Sequence, residues 1–217
     1  MRGYDDPCGI ARALGVIEER WALLVVRELI FGPKRFTDLR RGLTGISDNV
    51  LSQRLRELER VGIVRRRRFA PSSLSAYELT EHGRDLEPVL TAIRHWGARI
   101  PVDDSTNPTL GVDALVFALR TTFDVEVAGR LKAVVQLEVG DDRFQIAVGQ
   151  GRFRVVRGEV DNADVTITAD APALQSLVFA DRSLAEAEQV GEATIVGDRE
   201  VATHLLRCFT GPARPTP

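Results

Sequence analysis

Ser47-Asp48-Asn49-Val50-Leu51-Ser52-Gln53-Arg54-Leu55-Arg56-Glu57-Leu58-Glu59-Arg60-Val61, followed by Gly62 and the run Ile63-Val64-Arg65-Arg66-Arg67-Arg68-Phe69, decides how the first half of this 217-residue chain folds. Ser47 is a helix N-cap, and Asp48 suits the positive end of the helix dipole. Leu51, Leu55 and Leu58 recur at helical spacing, which leaves Asn49, Ser52, Gln53, Arg56 and Arg60 on the opposite face. Gly62 stops the helix, and the period then becomes that of a strand. Ile63 to Phe69 and Ser75 to Leu79 are the arms of a β-hairpin joined by Ala70-Pro71-Ser72-Ser73-Leu74.

Three shorter helical segments precede this stretch. One opens at Asp6-Pro7 and carries Ile10, Leu14 and Ile17; a second spans Trp21 to Phe31 and is stopped by Gly32-Pro33; a third fits Phe36 to Leu43. Beyond the hairpin, Leu86, Val89, Leu90, Ile93 and Trp96 predict one helix from Thr80 to about Ile100. Short helices, a longer helix with a polar face, then a basic hairpin is the order of a winged helix-turn-helix.

The segment 101–109 is bracketed by Pro101 and Pro108 and rich in small polar residues, and it reads as a linker between a first domain of residues 1–100 and a second of residues 110–212. The second begins with a helix from Val112 to Phe123. Alternation then predicts four strands, carrying Ala133 to Val139, Phe144 to Val148, Phe153 and Val155, and Val165 and Ile167. Their short connections predict an antiparallel meander. Three helices follow, starting at Asp170-Ala171-Pro172, at the capping box Ser183-Leu184-Ala185-Glu186, and at Asp198. The whole is therefore expected to be α+β: a winged helix-turn-helix domain, then an α+β domain whose antiparallel sheet has one helix-covered face.

Composition supports two modules. The net charge of −2 divides into 18 Lys and Arg against 13 Asp and Glu in residues 1–100, and 11 against 18 afterwards. The halves thus carry +5 and −7, which makes the first the candidate for nucleic acid and the second poorly suited to it. With only Cys8 and Cys208, a disulfide framework is not available. No apolar run approaches the roughly 18 residues of a membrane span, and the first residues lack the build of a signal peptide, so a cytoplasmic protein without a membrane partner is expected.

From Cys8 to about Gly97 the chain resembles the HxlR family of bacterial winged-helix regulators. The resemblance lies in Cys8, Trp21-Ala22-Leu23-Leu24-Val25-Val26-Arg27-Glu28-Leu29, Gly32-Pro33-Lys34-Arg35-Phe36-Thr37-Asp38-Leu39, Gly45-Ile46-Ser47, Leu51 to Leu58, Gly62-Ile63-Val64, Tyr77-Glu78-Leu79-Thr80 and Gly83. It implies a homodimer that pairs through its terminal helices, near Cys8 to Ile17 and Leu86 to Trp96, and binds inverted repeats in double-stranded DNA. The second half is similar to the sterol carrier protein-like fold in Ala163 to Thr168, Ala173 to Leu177 and Gly191 to Asp198. That similarity implies a place for a small apolar ligand.

Each candidate site carries a bland alternative. Asn49, Ser52, Gln53 and Arg56 have side chains that read adenine and guanine edges, Ser47 at the cap is counted with them as DNA-binding, and Arg54 and Arg60 suit phosphates or the surface; a solvated helix face has the same composition. Arg65, Arg66, Arg67 and Arg68 fit a phosphate-binding wing, and since strand neighbours point to opposite faces, two of the four are expected to touch one phosphate path. A charged edge strand is the compatible alternative. Lys34 and Arg35 before the third helix, with Arg40 and Arg41 closing it, fit flanking phosphate contacts. Cys8 stands near a helix start, where thiols become reactive, and some HxlR-type proteins sense oxidants or electrophiles with a cysteine at the corresponding place; a small packed hydrophobe is the alternative. Phe117, Phe123, Leu137, Phe144, Ile146, Leu174, Leu177, Phe179 and Phe209 either line an apolar pocket or fill a closed core.

Catalysis is unsupported. Gly149-Gln150-Gly151 is followed by Arg154 and a strand, and so reads as a hairpin turn and not a nucleotide loop. His82, His95 and His204 have no ligand-spaced partners beyond the Glu200–His204 pair, and neither a nucleophile elbow nor a P-loop is present; no metal and no cofactor are expected. The expected function is a dimeric DNA-binding transcription regulator whose second domain senses a small apolar ligand. The alternatives are redox control through Cys8 with a structural second domain, and a lipid carrier.

Overall fold

The computed structural model describes residues 5–69, 74–100, 109–180 and 182–209. It divides into two compact units, Met1–Ile93 and Arg94–Pro217. The linker expected at 101–109 lies outside the described residues apart from Thr109.

The first unit follows the expected order. Helix α1 (Gly9–Ile17) is capped by Cys8, α2 (Ala22–Leu29) follows Trp21 without a side-chain cap, and α3 (Phe36–Gly42) starts where Asp38 accepts from the Arg35 N–H. Helix α4 (Asp48–Arg60) begins where Ser47 Oγ accepts from the Val50 N–H at 3.4 Å. Strands β1 (Val64–Phe69) and β2 (Leu74–Leu79) then pair antiparallel. Tyr77 also exchanges backbone hydrogen bonds with Lys34, at 2.9 and 2.7 Å, which ties the chain entering α3 to the hairpin. Val25, Val26, Leu29, Leu39, Leu51, Leu55, Leu58 and Ile63 close the core. Burying one such aliphatic side chain contributes about 1.5–3 kcal/mol, so the apolar stripe of α4 is a principal anchor of the unit.

The helix expected from Thr80 to Ile100 is two helices, α5 (Glu81–Arg84) and α6 (Glu87–Gly97). Pro88 explains the break: it has no N–H to offer the Arg84 carbonyl, and its ring would collide with that carbonyl in a continuous helix. Thr80 caps α5 by accepting from the Gly83 N–H at 3.0 Å while its hydroxyl donates to the Gly62 carbonyl. Gly83 packs so tightly that a Cβ there would lie 2.1 Å from the Ile63 carbonyl oxygen.

The second unit opens with α7 (Val112–Thr122) and a short α8 (Val125–Ala128), followed by β3 (Ala133–Val139), β4 (Asp142–Gly149) and β5 (Arg152–Arg157). These three strands form the expected antiparallel meander. The fourth, β6 (Val165–Ala169), departs from it by pairing with β3 in parallel. The connection 158–164 is therefore a crossover and not a hairpin turn, and the sheet is mixed. Two polar strand residues hold the crossing segment: Gln136 Oε1 accepts from the Val160 N–H at 2.8 Å, and the Gln145 amide donates to the Glu159 carbonyl. Where the crossover ends, Asp164 Oδ2 accepts from the Val134 N–H at 2.7 Å.

Helices α9 (Ala171–Phe179), α10 (Leu184–Gln189) and α11 (Arg199–Arg207) begin at the three expected caps, Asp170, Ser183 and Asp198. Between the last two lies a strand absent from the expectation, β7 (Ala193–Gly197), paired antiparallel with β6. The sheet order is β5-β4-β3-β6-β7. Val135, Leu137, Phe144, Ile146, Val165 and Ile167 are buried along one face of it.

Candidate nucleic-acid interface and ligand groove

The exposed row of α4 follows from helical geometry. At about 100° per residue, Asn49, Ser52, Gln53, Arg56 and Arg60 fall within an arc of roughly 100°. Asn49, Gln53, Arg56 and Arg60 are exposed, and Ser52 is half-buried. Arg54 is different. Its Cα direction lies only about 40° from that of Leu58, beside the apolar stripe. Its side chain is 9% exposed and bridges Glu19, at 3.4 Å, and Glu57. The expectation that Arg54 meets a phosphate is corrected on this ground: it joins α4 to the end of α1. Glu57 also accepts from the Gln53 amide at 3.0 Å, so this network orients one of the exposed polar side chains.

Lys34 is the second correction. Its ammonium lies 2.8 Å from Glu28 Oε2, while Arg27 holds Oε1 at 2.8 Å. The Glu28 side chain is 0% exposed and that of Lys34 10%. Glu28 Oε2 stands where a Cβ on Gly42 would be, 2.2 Å away, so the absence of a side chain at the end of α3 admits the carboxylate. A buried carboxylate requires such partners, and Lys34 serves as one. Arg35 is exposed beside it.

The register of the hairpin sorts the four arginines. Arg65 lies opposite Glu78 and Arg66 opposite Tyr77. Arg65 and Arg67 share one face and both reach Glu78, at 2.7 and 3.4 Å. Burial raises the pKa of the Glu78 carboxyl, but hydrogen bonds and charge from Arg65 and then Arg67 outweigh it and hold the group below its ordinary value. Arg66 and Arg68 point the other way. Arg66 donates to the Ser75 hydroxyl at 2.9 Å and lies 5.8 Å from the Tyr77 ring centre, both neutral neighbours, and has no ion pair among the described residues.

Cys8 is exposed, and its Sγ accepts from the Ala11 N–H at 3.3 Å as the cap of α1. Ile10 and Leu14 on α1, and Val89, Ile93 and Trp96 along one stripe of α6, are exposed apolar side chains. Cys208 is buried, and desolvation followed by the Asp124 charge pushes its thiol up to about 11.

The nine side chains expected to line a pocket separate into groups. Phe117, Leu137, Phe144, Ile146 and Leu174 are at most 4% exposed and fill the second unit's core. Phe123 stacks on Phe153 at 5.0 Å and meets Phe209 at 6.0 Å, and Phe179 is half-buried at the end of α9. Leu177 and Phe209 do line a groove of about 580 Å³ between α9, α10 and α11, together with Val178, Leu184 and Leu206. Sequence reasoning missed Val178, Leu184 and Leu206, and also the polar groups at its rim, Ser183, Arg199, Thr203 and Arg207. The signal was present, because Arg199, Thr203 and Arg207 recur at helical spacing on one face of α11.

Residues 16–103 match the HxlR-like helix-turn-helix family, and residues 124–210 match the SCP-2 sterol transfer family. An uncharacterized HTH-type transcriptional regulator of Mycobacterium bovis is 43% identical over 89 residues, which are 41% of this chain and 56% of that protein. The chain thus spans little more than half the length of this mycobacterial relative. YdeP, an uncharacterized HTH-type transcriptional regulator of Bacillus subtilis, is 36% identical over 96 residues, 43% of this chain and 74% of that protein. Among solved structures, the reduced form of the transcriptional regulator YodB from B. subtilis is 31% identical, with a TM-score of 0.41 over 45% of this chain and 100% of that one.

Proposed function

The chain belongs to the HxlR-like helix-turn-helix family and carries an SCP-2 domain, and from that premise we propose that it is a dimeric, DNA-binding transcription regulator of the cytoplasm. The observation that carries this reading is the exposed row Asn49, Ser52, Gln53, Arg56 and Arg60 on a helix anchored by three buried leucines and followed by a basic hairpin. In this reading α4 enters a major groove, where Asn49 and Gln53 address adenine edges and Arg56 guanine. The hairpin is the wing, with Arg66 and Arg68 on phosphates. The exposed apolar stripes of α1 and α6 pair with those of a second copy, setting two recognition helices about 34–36 Å apart on an inverted repeat. A DNA-binding domain of residues 1–100 is joined by the linker 101–109 to a ligand-binding domain of residues 110–212, and the ligand alters operator affinity. Ligand and DNA affinities are then reciprocally coupled.

Selection of bound duplexes from a random pool by the full chain tests the first part. An inverted repeat should emerge, and its affinity should fall steeply with salt. Arg35, Arg56, Arg66 and Arg68 are the exposed arginines of this face with no ion pair among the described residues. With Arg56 on guanine, the other three on phosphates in each protomer give a slope of log K against log salt near −5, from about −0.9 per phosphate. A pool that stays random, or a slope near zero, would refute DNA reading. The exposure of the Cys8 thiol favours a second reading, response to oxidants. Peroxide or quinone should then modify Cys8 and change operator affinity; a modified thiol with unchanged affinity eliminates it.

A further inference from the structure

Resting on the reading that α4 lies in a major groove, we propose that Glu57 and Arg54 are positioning residues for Gln53. They turn its amide so that it reads the exocyclic amino group of adenine or cytosine, against guanine and thymine. Gln53 is exposed on the outward row of α4. An amide in that setting has two orientations of nearly equal energy, one presenting its oxygen and the other its nitrogen. Alone it discriminates poorly between bases.

Glu57 removes the ambiguity. A carboxylate only accepts, so the nitrogen end of the amide must turn to it, and Gln53 Nε2 donates to Glu57 Oε1 at 3.0 Å. One amide hydrogen is thereby engaged, which leaves the carbonyl oxygen and the second hydrogen for a partner from outside. Adenine offers the N6 donor beside the N7 acceptor and matches both. Cytosine offers the N4 donor alone, whereas guanine and thymine present acceptors that oppose the Gln53 oxygen.

A contact of this kind, one turn apart on a bare helix face, biases a side chain only about two-fold. Here the second oxygen of the carboxylate is fixed as well, because Arg54 Nη1 donates to Glu57 Oε2. Arg54 is itself anchored: its side chain is 9% exposed, and Nη2 lies 3.4 Å from Glu19 Oε2 in the segment after α1. The guanidinium has an electrostatic effect too. Glu57 is half-buried on the helix that would meet DNA, and Arg54 offsets a charge that phosphates would repel. The chain from Glu19 through Arg54 and Glu57 to Gln53 thus ends on a base edge without Arg54 touching DNA.

The test selects duplexes from a random pool with the full chain, then measures competition between operators that differ at single base pairs. Gln53→Ala identifies the position in each half-site that Gln53 reads, by loss of preference there alone. At that position the parent should favour adenine or cytosine over guanine about ten-fold, and the base selected shows whether the second amide hydrogen is used. Glu57→Gln keeps the shape but can donate as well as accept, and Arg54→Met leaves the carboxylate held on one side only. Each should reduce the preference at that position to about two-fold or less while other positions keep theirs. In a Gln53→Ala chain neither change should alter that position further. A merely structural role would lower Tm, or affinity for all sequences alike, and leave the preference intact. Three results overturn the positioning role and leave DNA reading in place: guanine or thymine selected at the Gln53 position, Gln53→Ala without effect at any position, or a preference that survives Glu57→Gln or Arg54→Met in a chain that circular dichroism shows folded. A parent pool that stays random overturns both readings.

Discussion

Replacing Lys34 by Met separates two roles that sequence alone confounds. As a phosphate contact, Lys34 would be dispensable to the fold; as the partner of Glu28, it stabilises it. Removing one member of a buried ion pair costs about 3–5 kcal/mol, because the other charge stays buried. Here Arg27 still holds the second carboxylate oxygen at 2.8 Å, so the loss reduces to one charged hydrogen bond on Oε2, about 2–3 kcal/mol. Met keeps most of the aliphatic volume, so no cavity term is added. For a domain of this size each kcal/mol moves Tm by about 4–8 °C, so the melting transition of the first unit should fall by about 10–20 °C. Trp21, within that unit, reports it by fluorescence. Adding Glu28→Gln, which removes the buried charge without changing shape against Gly42, should recover about half of the loss. The slope of log K against log salt for DNA should stay within error of the parent, whereas loss of a phosphate contact would lower it by about 0.9 per site. A Lys34→Met chain that melts with the parent while its salt slope falls by that amount refutes the structural role.

Further outcomes follow from the packing and the charges. Gly83→Ala forces a Cβ to 2.1 Å from a backbone carbonyl that cannot swing aside, so a loss of about 3 kcal/mol is expected in urea melts. Gly15→Ala, in a helix with nothing within 4 Å of the new methyl, should instead gain about 0.5–1 kcal/mol. Glu78 has a folded-state pKa below its unfolded value, so it contributes stability that is present at neutral pH and lost as pH falls through the carboxylate range. Glu78→Gln should therefore flatten the acid limb of the stability curve, and an unchanged limb would count against the ion pairs with Arg65 and Arg67.

Much of the fold was legible because its determinants are local. The leucine stripe and Ser47 cap of α4, the strand alternation, and the capping box at Ser183 each lie within one element, and each appears where the pattern put it. What escaped depends on partners distant in sequence. Gln136 and Gln145 read as solvent-facing strand residues, yet they hold the crossover that lets β6 join β3 in parallel. Lys34 read as a surface cation because its partner lies six residues back, on the buried side of α2. Arg54 and Pro88 are different, since helix geometry and proline sterics carried the answer locally. Of the nine apolar residues expected at a pocket, five fill the core and Leu177 and Phe209 line the groove, whose remaining lining includes charged and hydroxyl-bearing side chains that hydrophobic pattern does not register.

In both units the role of an arginine is decided by what neighbours it. Arg54 joins Glu57 on its own helix to Glu19 in the segment after α1, and Arg157 joins Asp113, at 2.7 Å, to Asp142 across a helix and a sheet. These pairs link elements, and their charge is consumed within the protein. Arg66 rests on a hydroxyl and an aromatic ring and has no ion pair among the described residues, so its charge is held in a defined place. Such a charge contributes little to folding and is available to an anion from outside. The +5 of the first half therefore overstates its electrostatic footprint on DNA. Partner carboxylates, not totals, divide structural arginines from functional ones.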